Sequence, residues 1–395
     1  MNKYTQLNYK TRYFIYCIFL KKYCKIRPNR VLAISQDGLN YGCNPKAITD
    51  ALLKYYSGEV DIYWAFRRKH IPQNMDRRIK TVVIASWKYY FVAATTRVII
   101  HNTHFDFFVP LLRKRKEQIY IQTWHGTALK KIEKDAVECL HPEYFIKALD
   151  DSAQSDIILS GSQYHTATIK KAFWFPGKIL ETGMPRNDIF FTDNQASKDK
   201  IFTQYGIEQN TQIILFCPTF RTDAHNFHYH LNTNLLKNSL EEKFGGKWCL
   251  FVRLHRWMSE DMSKVFDFNP ECMVDVTAYP DIQELLHIAS VLITDYSSVM
   301  FDFMLTKRPC FIFATDEKFY DRGTYIDIRE LPFPVAGNNE QLVENIKNFN
   351  ENDYLDDLKK FETQTLVSCE TGEAAQKTSE FIVNEIRKRE CVTFK

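Results

Sequence analysis

Apolar and polar positions alternate along this chain in two rhythms. Short continuous apolar runs, rich in Ile, Val, Phe and Tyr, read as buried strands, and longer charged stretches between them read as helices. Strand-type runs occur at Arg30 to Ser35, Val60 to Phe66, Thr81 to Ala85, Val98 to Ile100 and Ile119 to Gln122. Asp156 to Ser160 and Lys178 to Gly183 continue the series. A fresh series begins at Gln212 to Cys217 and runs through Trp248 to Arg253, Met273 to Val276, Val291 to Thr294 and Cys310 to Phe313. Helices are expected at Lys46 to Tyr56, where Asn44-Pro45 supplies a cap and a first-turn proline, at Asp281 to Ala289, at Val299 to Leu305, and through the charged tail from Glu340 to Lys388. Such alternation predicts an α/β protein with two Rossmann-like domains, each built on a parallel sheet, the sheets facing across a central cleft.

The expected boundaries are residues 1–27, a basic aromatic helix; 28–190, a first Rossmann-like domain; 191–370, a second; and 371–395, a helical tail. At 395 residues the chain is long enough for two domains of ordinary size. A net charge of +4 is too mild to argue for nucleic acid. Ten cysteines without a Cys-x-x-Cys pair read as reduced thiols of a cytosolic protein. The apolar run Tyr13 to Leu20 is eight residues, whereas a membrane span needs about 20, and no small-residue cleavage site follows it. Residues 9–27 mix aromatics with six Lys or Arg. As a helix this segment suits a lipid interface, its lysines reaching anionic headgroups; equally, it suits a first helix packed on the domain.

Polar groups gather where the strands end, and the rim of a rigid sheet is where function accumulates. His125 follows the run ending at Gln122 and precedes Gly126, which lets a ligand approach the backbone. With an ordinary pKa of about 6.5, this histidine can take a proton near neutrality. Ser297 and Ser298 precede a helix, where free N–H groups and hydroxyls would hold a phosphate; the plainer reading is a helix cap. Asp302, a turn further on, suits a sugar or glycerol hydroxyl. Arg253 and His255 alternate around Leu254, so in an extended segment they share a face suited to phosphate charge. Arg186 and Arg221 fit the same anionic demand. The histidines at 225, 228 and 230 lack a placed carboxylate or thiolate partner, so no metal site is expected. A Walker-type phosphate loop is missing, which argues against ATP hydrolysis.

Four stretches in this order resemble the motifs of the CDP-glycerol glycerophosphotransferase family, which includes primases and polymerases of wall teichoic acid and capsule enzymes. They are Trp124 to Lys131, Gly183 to Asp188, Cys217 to Arg221 and Thr294 to Asp302. The resemblance covers roughly residues 30 to 385. It implies a GT-B fold and transfer of glycerol phosphate, with release of CMP, to a hydroxyl of a lipid-linked glycan or a teichoic or capsular polymer. His125 would be the general base, and His255 would assist departure of CMP. The donor, CDP-glycerol or CDP-ribitol, would contact His125, Gly126, Thr127, Ala128, Leu129, Arg186, Pro218, Thr219, Arg221, Arg253, Leu254, His255, Ser297, Ser298 and Asp302. No cofactor or metal is implied. The expected location is the cytoplasmic face of the cell membrane, held peripherally. Two positions depart from the family pattern: Ala128 stands where proline is usual, and Arg256 follows the second histidine where proline is usual. A GT-B nucleotide-sugar glycosyltransferase in surface polysaccharide synthesis is the alternative reading. A non-catalytic binder is a third, against which the two histidines and the serine pair argue.

Overall fold

The computed structural model describes residues 11–105, 113–219, 229–254, 273–316 and 323–393. The chain divides into two compact units. Met1–His125, Glu133–Asp188 and Ser368–Lys395 form the first, and Gly126–Ile132 with Ile189–Val367 the second.

The first unit is built on seven parallel strands: β1 (Arg30–Ile34), β2 (Asp61–Phe66), β3 (Lys80–Val83), β4 (Val98–His101), β5 (Ile119–Gln122), β6 (Ile157–Leu159) and β7 (Lys178–Leu180). Their order is β3-β2-β1-β4-β5-β6-β7. Every residue of β1 is buried, and its side chains alternate between two cores. Val31 and Ala33 pack with Ile48 and Leu52 of the helix Cys43–Tyr55 and with Ile382, Val383 and Ile386 of the helix Ala374–Thr393. Leu32 and Ile34 pack on the other side with Tyr89, Tyr90 and Tyr16. A parallel strand covered on both faces must be apolar throughout, which is why these runs show no alternation in sequence.

The second unit carries β8 (Thr211–Cys217), β9 (Lys247–Val252), β10 (Met273–Asp275), β11 (Val291–Thr294), β12 (Cys310–Phe313) and β13 (Val335–Ala336), all parallel, in the order β10-β9-β8-β11-β12-β13. Strand order reverses between β1 and β4 in the first sheet and between β8 and β11 in the second. Those reversals are where open parallel sheets place ligands, outside the carboxyl ends of the strands.

The two parallel α/β sheets expected from the alternation are both present. Strand ends differ where the backbone turns left-handed. β3 stops at Val83 ahead of Ala85 (φ +64°), and β7 stops at Leu180 ahead of Gly183 (φ +90°). β13 escaped the sequence reading because two residues are too few to show a period.

Residues 11–23 are helical, with a π turn at Tyr16–Leu20. One face, Tyr13, Tyr16, Cys17 and Leu20, packs on the core; the other leaves Phe14, Ile18, Phe19 and Tyr23 exposed. Tyr16 is fully buried and Phe14 is 60% exposed. Tyr16→Ala should therefore destabilise the protein by about 3–5 kcal/mol, and Phe14→Ala by no more than about 0.5 kcal/mol. Urea denaturation measures both.

Candidate active site

Asn102 closes the reversal of the first sheet. It is fully buried just beyond β4, and its Oδ1 accepts from the backbone N–H of Gln36, just beyond β1, at 2.8 Å. Its backbone carbonyl lies 2.8 Å from His125 Nδ1. A carbonyl only accepts, so Nδ1 carries the hydrogen and Nε2 of a neutral ring keeps its lone pair.

The segment bearing His125 is held from several sides. Trp124 has φ +50°, an uncommon conformation for a bulky side chain. Its N–H donates to Gln122 Oε1 at 2.9 Å. The buried Asn44 amide donates to the carbonyls of Thr123 (3.2 Å) and Trp124 (3.1 Å). Asn44 Oδ1 in turn accepts from the N–H of Arg186 at 3.0 Å. The helix Cys43–Tyr55 is therefore not capped by Asn44, as the sequence suggested; Gly42 occupies that position. Pro45 does lie in the first turn, as expected.

His125 is exposed at its surface yet crowded by protein atoms. Its pKa is lowered by that desolvation, which with the Arg186 guanidinium outweighs the bond to Asn102. Arg186 itself is 7% exposed, in the 3-10 turn Pro185–Phe191. Nearby in electrostatic reach lies His165, which the sequence reading passed over. It sits in the first turn of the helix Gln163–Ala172, fully buried, and neither ring nitrogen has a hydrogen-bond partner among the described residues.

Gly126 (φ +137°), Thr127, Ala128 and Leu129 are buried in the second unit. There the Leu129 carbonyl accepts from the N–H of Tyr325 at 2.8 Å, and Lys131 N–H donates to Gly323 at 3.1 Å.

At the second sheet's reversal, Asp295 plays the part that Asn102 plays in the first. Its Oδ1 accepts from Thr219 N–H at 2.8 Å and from Tyr296 N–H at 2.6 Å, joining the loops after β8 and β11. Pro218 and Thr219 are thereby fixed at the strand end, and Tyr229 also donates to the Thr219 carbonyl. Ser298 opens the short helix Val299–Phe303, but its side chain makes no capping bond; Ser297 Oγ accepts weakly from Val299 at 3.5 Å. Asp302 is buried and accepts from Gln283 Nε2 at 3.1 Å. Arg253 uses one nitrogen on the carbonyls of Val276 (3.1 Å) and Tyr279 (2.7 Å). The N–H of buried Leu254 donates to Thr277 Oγ1 at 3.1 Å. Arg221, His255, His225 and His228 lie outside the described residues; His230 is exposed. Among the described residues no group of three His, Cys, Asp or Glu is placed to hold a metal.

Burial lowers His101 and His165, to about 4 and about 3. Unfolded, both would take up a proton near 6.5. The stability gained by keeping them neutral is present above that pH and falls as pH falls toward the folded values. The urea midpoint should decline between pH 7 and pH 4.5, and His165→Phe should flatten that decline.

A family model described as CDP-glycerol:poly(glycerophosphate) glycerophosphotransferase matches residues 15–384. The chain is 30% identical over 343 residues to the teichoic acid poly(glycerol phosphate) polymerase of Bacillus subtilis (strain 168), covering 83% of this chain and 45% of that protein. It is 30% identical over 376 residues to the teichoic acid glycerol-phosphate transferase of Staphylococcus aureus (strain NCTC 8325 / PS 47), covering 90% and 93%. A solved structure of the wall teichoic acid polymerase TagF, soaked with CDPG, superposes with a TM-score of 0.82 at 28% identity, covering 97% of this chain and 94% of that one. The chain spans about half the length of the polymerases it matches first.

Proposed function

The chain belongs to the CDP-glycerol:poly(glycerophosphate) glycerophosphotransferase family, and from that premise we propose that it transfers glycerol phosphate, or a related alditol phosphate, from a CDP-alditol to a hydroxyl of a lipid-linked glycan or of a teichoic or capsular polymer. In this reaction the acceptor oxygen attacks the β-phosphorus in line. The new P–O bond forms as the bond to the bridging oxygen breaks, and CMP leaves. His125 takes the acceptor proton.

One observation carries the reading: the Asn102 carbonyl holds His125 Nδ1–H at 2.8 Å. That bond assigns the lone pair to Nε2. Desolvation and Arg186 keep the ring neutral at physiological pH, the state a base requires. Arg186 beside it supplies positive charge for a phosphate. Such a reaction depends on positioning and on charge stabilisation more than on covalent chemistry. Arg253 and His255 stabilise the charge on departing CMP on this reading. Ser298, whose side chain makes no capping bond, and Ser297, whose hydroxyl accepts only weakly from Val299, are donors for the CDP-alditol.

Incubation with CDP-glycerol or CDP-ribitol and a lipid-linked sugar acceptor should release CMP with one of the two donors. His125→Ala should lower kcat by about 10²-fold or more. Consumption of a nucleotide sugar with no CMP released from either donor would overturn the reading.

The acceptor's lipid calls for a membrane surface. Phe14, Ile18, Phe19 and Tyr23 are exposed on the first helix, and Trp87 and Phe91 on the helix Trp87–Thr95 that packs beside it. Exposed Lys22, Lys25 and Lys88 accompany them, and Arg12 lies over the Trp87 ring. Aromatics flanked by lysines suit the headgroup region of an anionic bilayer. No helix among the described residues is long and apolar enough to cross a membrane. On this reading the protein is held peripherally at the cytoplasmic face. Phe14→Ser combined with Phe19→Ser should abolish sedimentation with anionic vesicles while leaving the fold intact; undiminished sedimentation would refute attachment through this face.

A further inference from the structure

The indole of Trp124 contacts two imidazoles. Its ring centroid lies 4.3 Å from that of His125 and 5.4 Å from that of His104. His104 is 4% exposed. Each of its nitrogens faces a carboxylate: Nδ1 is 2.6 Å from Asp151 Oδ2, and Nε2 is 3.5 Å from Glu133 Oε2.

The two carboxylates are themselves well supplied with donors. Asp151 is fully buried and accepts from Tyr120 Oη (3.0 Å), from Gln122 Nε2 (3.4 Å) and from the N–H of Phe105 (3.4 Å). Glu133 is 3% exposed and accepts from Tyr144 Oη at 2.8 Å. An imidazole between two such acceptors carries hydrogens on both nitrogens. Burial opposes that charge, but Glu133 and Asp151 outweigh it and hold the His104 pKa up to about 10.

The same network reaches the backbone of the candidate base. Gln122, bonded to Asp151 and Tyr120 through Nε2, accepts from Trp124 N–H through Oε1. Phe173 closes the aromatic contacts, 4.8 Å from Trp124 and 5.9 Å from His104.

We propose that His104, clamped as an imidazolium by Asp151 and Glu133, is a positioning residue for His125: it seats the Trp124 indole against the His125 ring, and its charge sets how readily His125 binds a proton. The enzymatic part of this inference rests on His125 being the base; the electrostatic part does not. His125 also feels Arg186, Asp37, His101 and His165. These groups are the same in every variant below, so they do not produce a difference between them.

The sign of each substitution is fixed by charge. His104→Gln removes a positive charge, so His125 should protonate more readily and its midpoint should rise. Glu133→Gln removes a negative charge while Asp151 still holds the imidazolium, so the His125 midpoint should fall. Across the separation of these rings, each shift is on the order of one pH unit at an effective dielectric of about 20. A role confined to packing would not move the midpoint in opposite directions.

The test is an NMR titration of the full chain with labelled histidines, the His125 signal being identified by its loss in His125→Asn. In the unsubstituted protein His104 should stay doubly protonated from pH 5 to 8.5. His125 should shift upward in His104→Gln and downward in Glu133→Gln. The acid limb of kcat for CMP release should follow both shifts, with KM for the CDP-alditol changed by less than about twofold. A His104 that titrates near 6.5, or a His125 midpoint that is unmoved or moves the same way in both variants, would overturn the proposal. Where His104→Gln does not fold, Glu133→Gln decides by itself: a downward shift supports the proposal and none overturns it. Normal turnover by His125→Ala would instead sink the base assignment, leaving the NMR shifts to judge the coupling.

Discussion

Asn44 holds the first unit's candidate chemistry in place. Its side chain is buried without any exposed surface, and its bonds go to backbone: the carbonyls of Thr123 and Trp124 on one side, the N–H of Arg186 on the other. Those bonds stabilise Trp124 in a left-handed conformation that a tryptophan otherwise avoids. The turn at Trp124 presents His125 to the Asn102 carbonyl. Three buried backbone groups without Asn44 would each cost roughly 1–3 kcal/mol, so His125 and Arg186 share one anchor.

The two sheets solve the same problem in parallel ways. Each reverses its strand order once, and at each reversal a buried side-chain oxygen bonds a backbone N–H across the gap. Asn102 does so between the ends of β4 and β1, and Asp295 between the ends of β11 and β8. Loops at a reversal diverge to opposite faces of their sheet, so nothing in the ladder itself holds them together. A single short polar side chain restores that link and leaves nearby groups such as Thr219 and His125 in defined positions.

Histidine charge within the first unit follows from how carboxylate partners weigh against burial. His104 and His165 are both buried, yet one faces two carboxylates and stays charged, and the other faces none and stays neutral. His101 is likewise neutral, with burial outweighing the pull of Asp151. His125, more open, is kept neutral by crowding and by Arg186. One imidazolium and three neutral rings thus coexist in a small region.

Local pattern determined most of the architecture. Central strands buried on both faces are continuous apolar runs, and of the strands among the described residues twelve were legible in the pattern, the two-residue β13 being too short. Polar residues at strand ends, His125 and Thr219 among them, lie beside the points where each sheet reverses its order. What the pattern could not carry was direction across the fold. Asn44 before Pro45 has the residue types of a helix cap, and its role changed because carbonyls some 80 residues away took its amide. Asp302 gave no local sign of the Gln283 amide that bonds its Oδ2 in the fold. His104 gave no local sign of its charge, which depends on Asp151 and Glu133 from other segments. Periodicity decides which residues are buried because burial follows the local turn of the backbone. Tautomer, charge and hydrogen-bond partner depend on groups brought close by tertiary packing, and those were decided only in the folded chain.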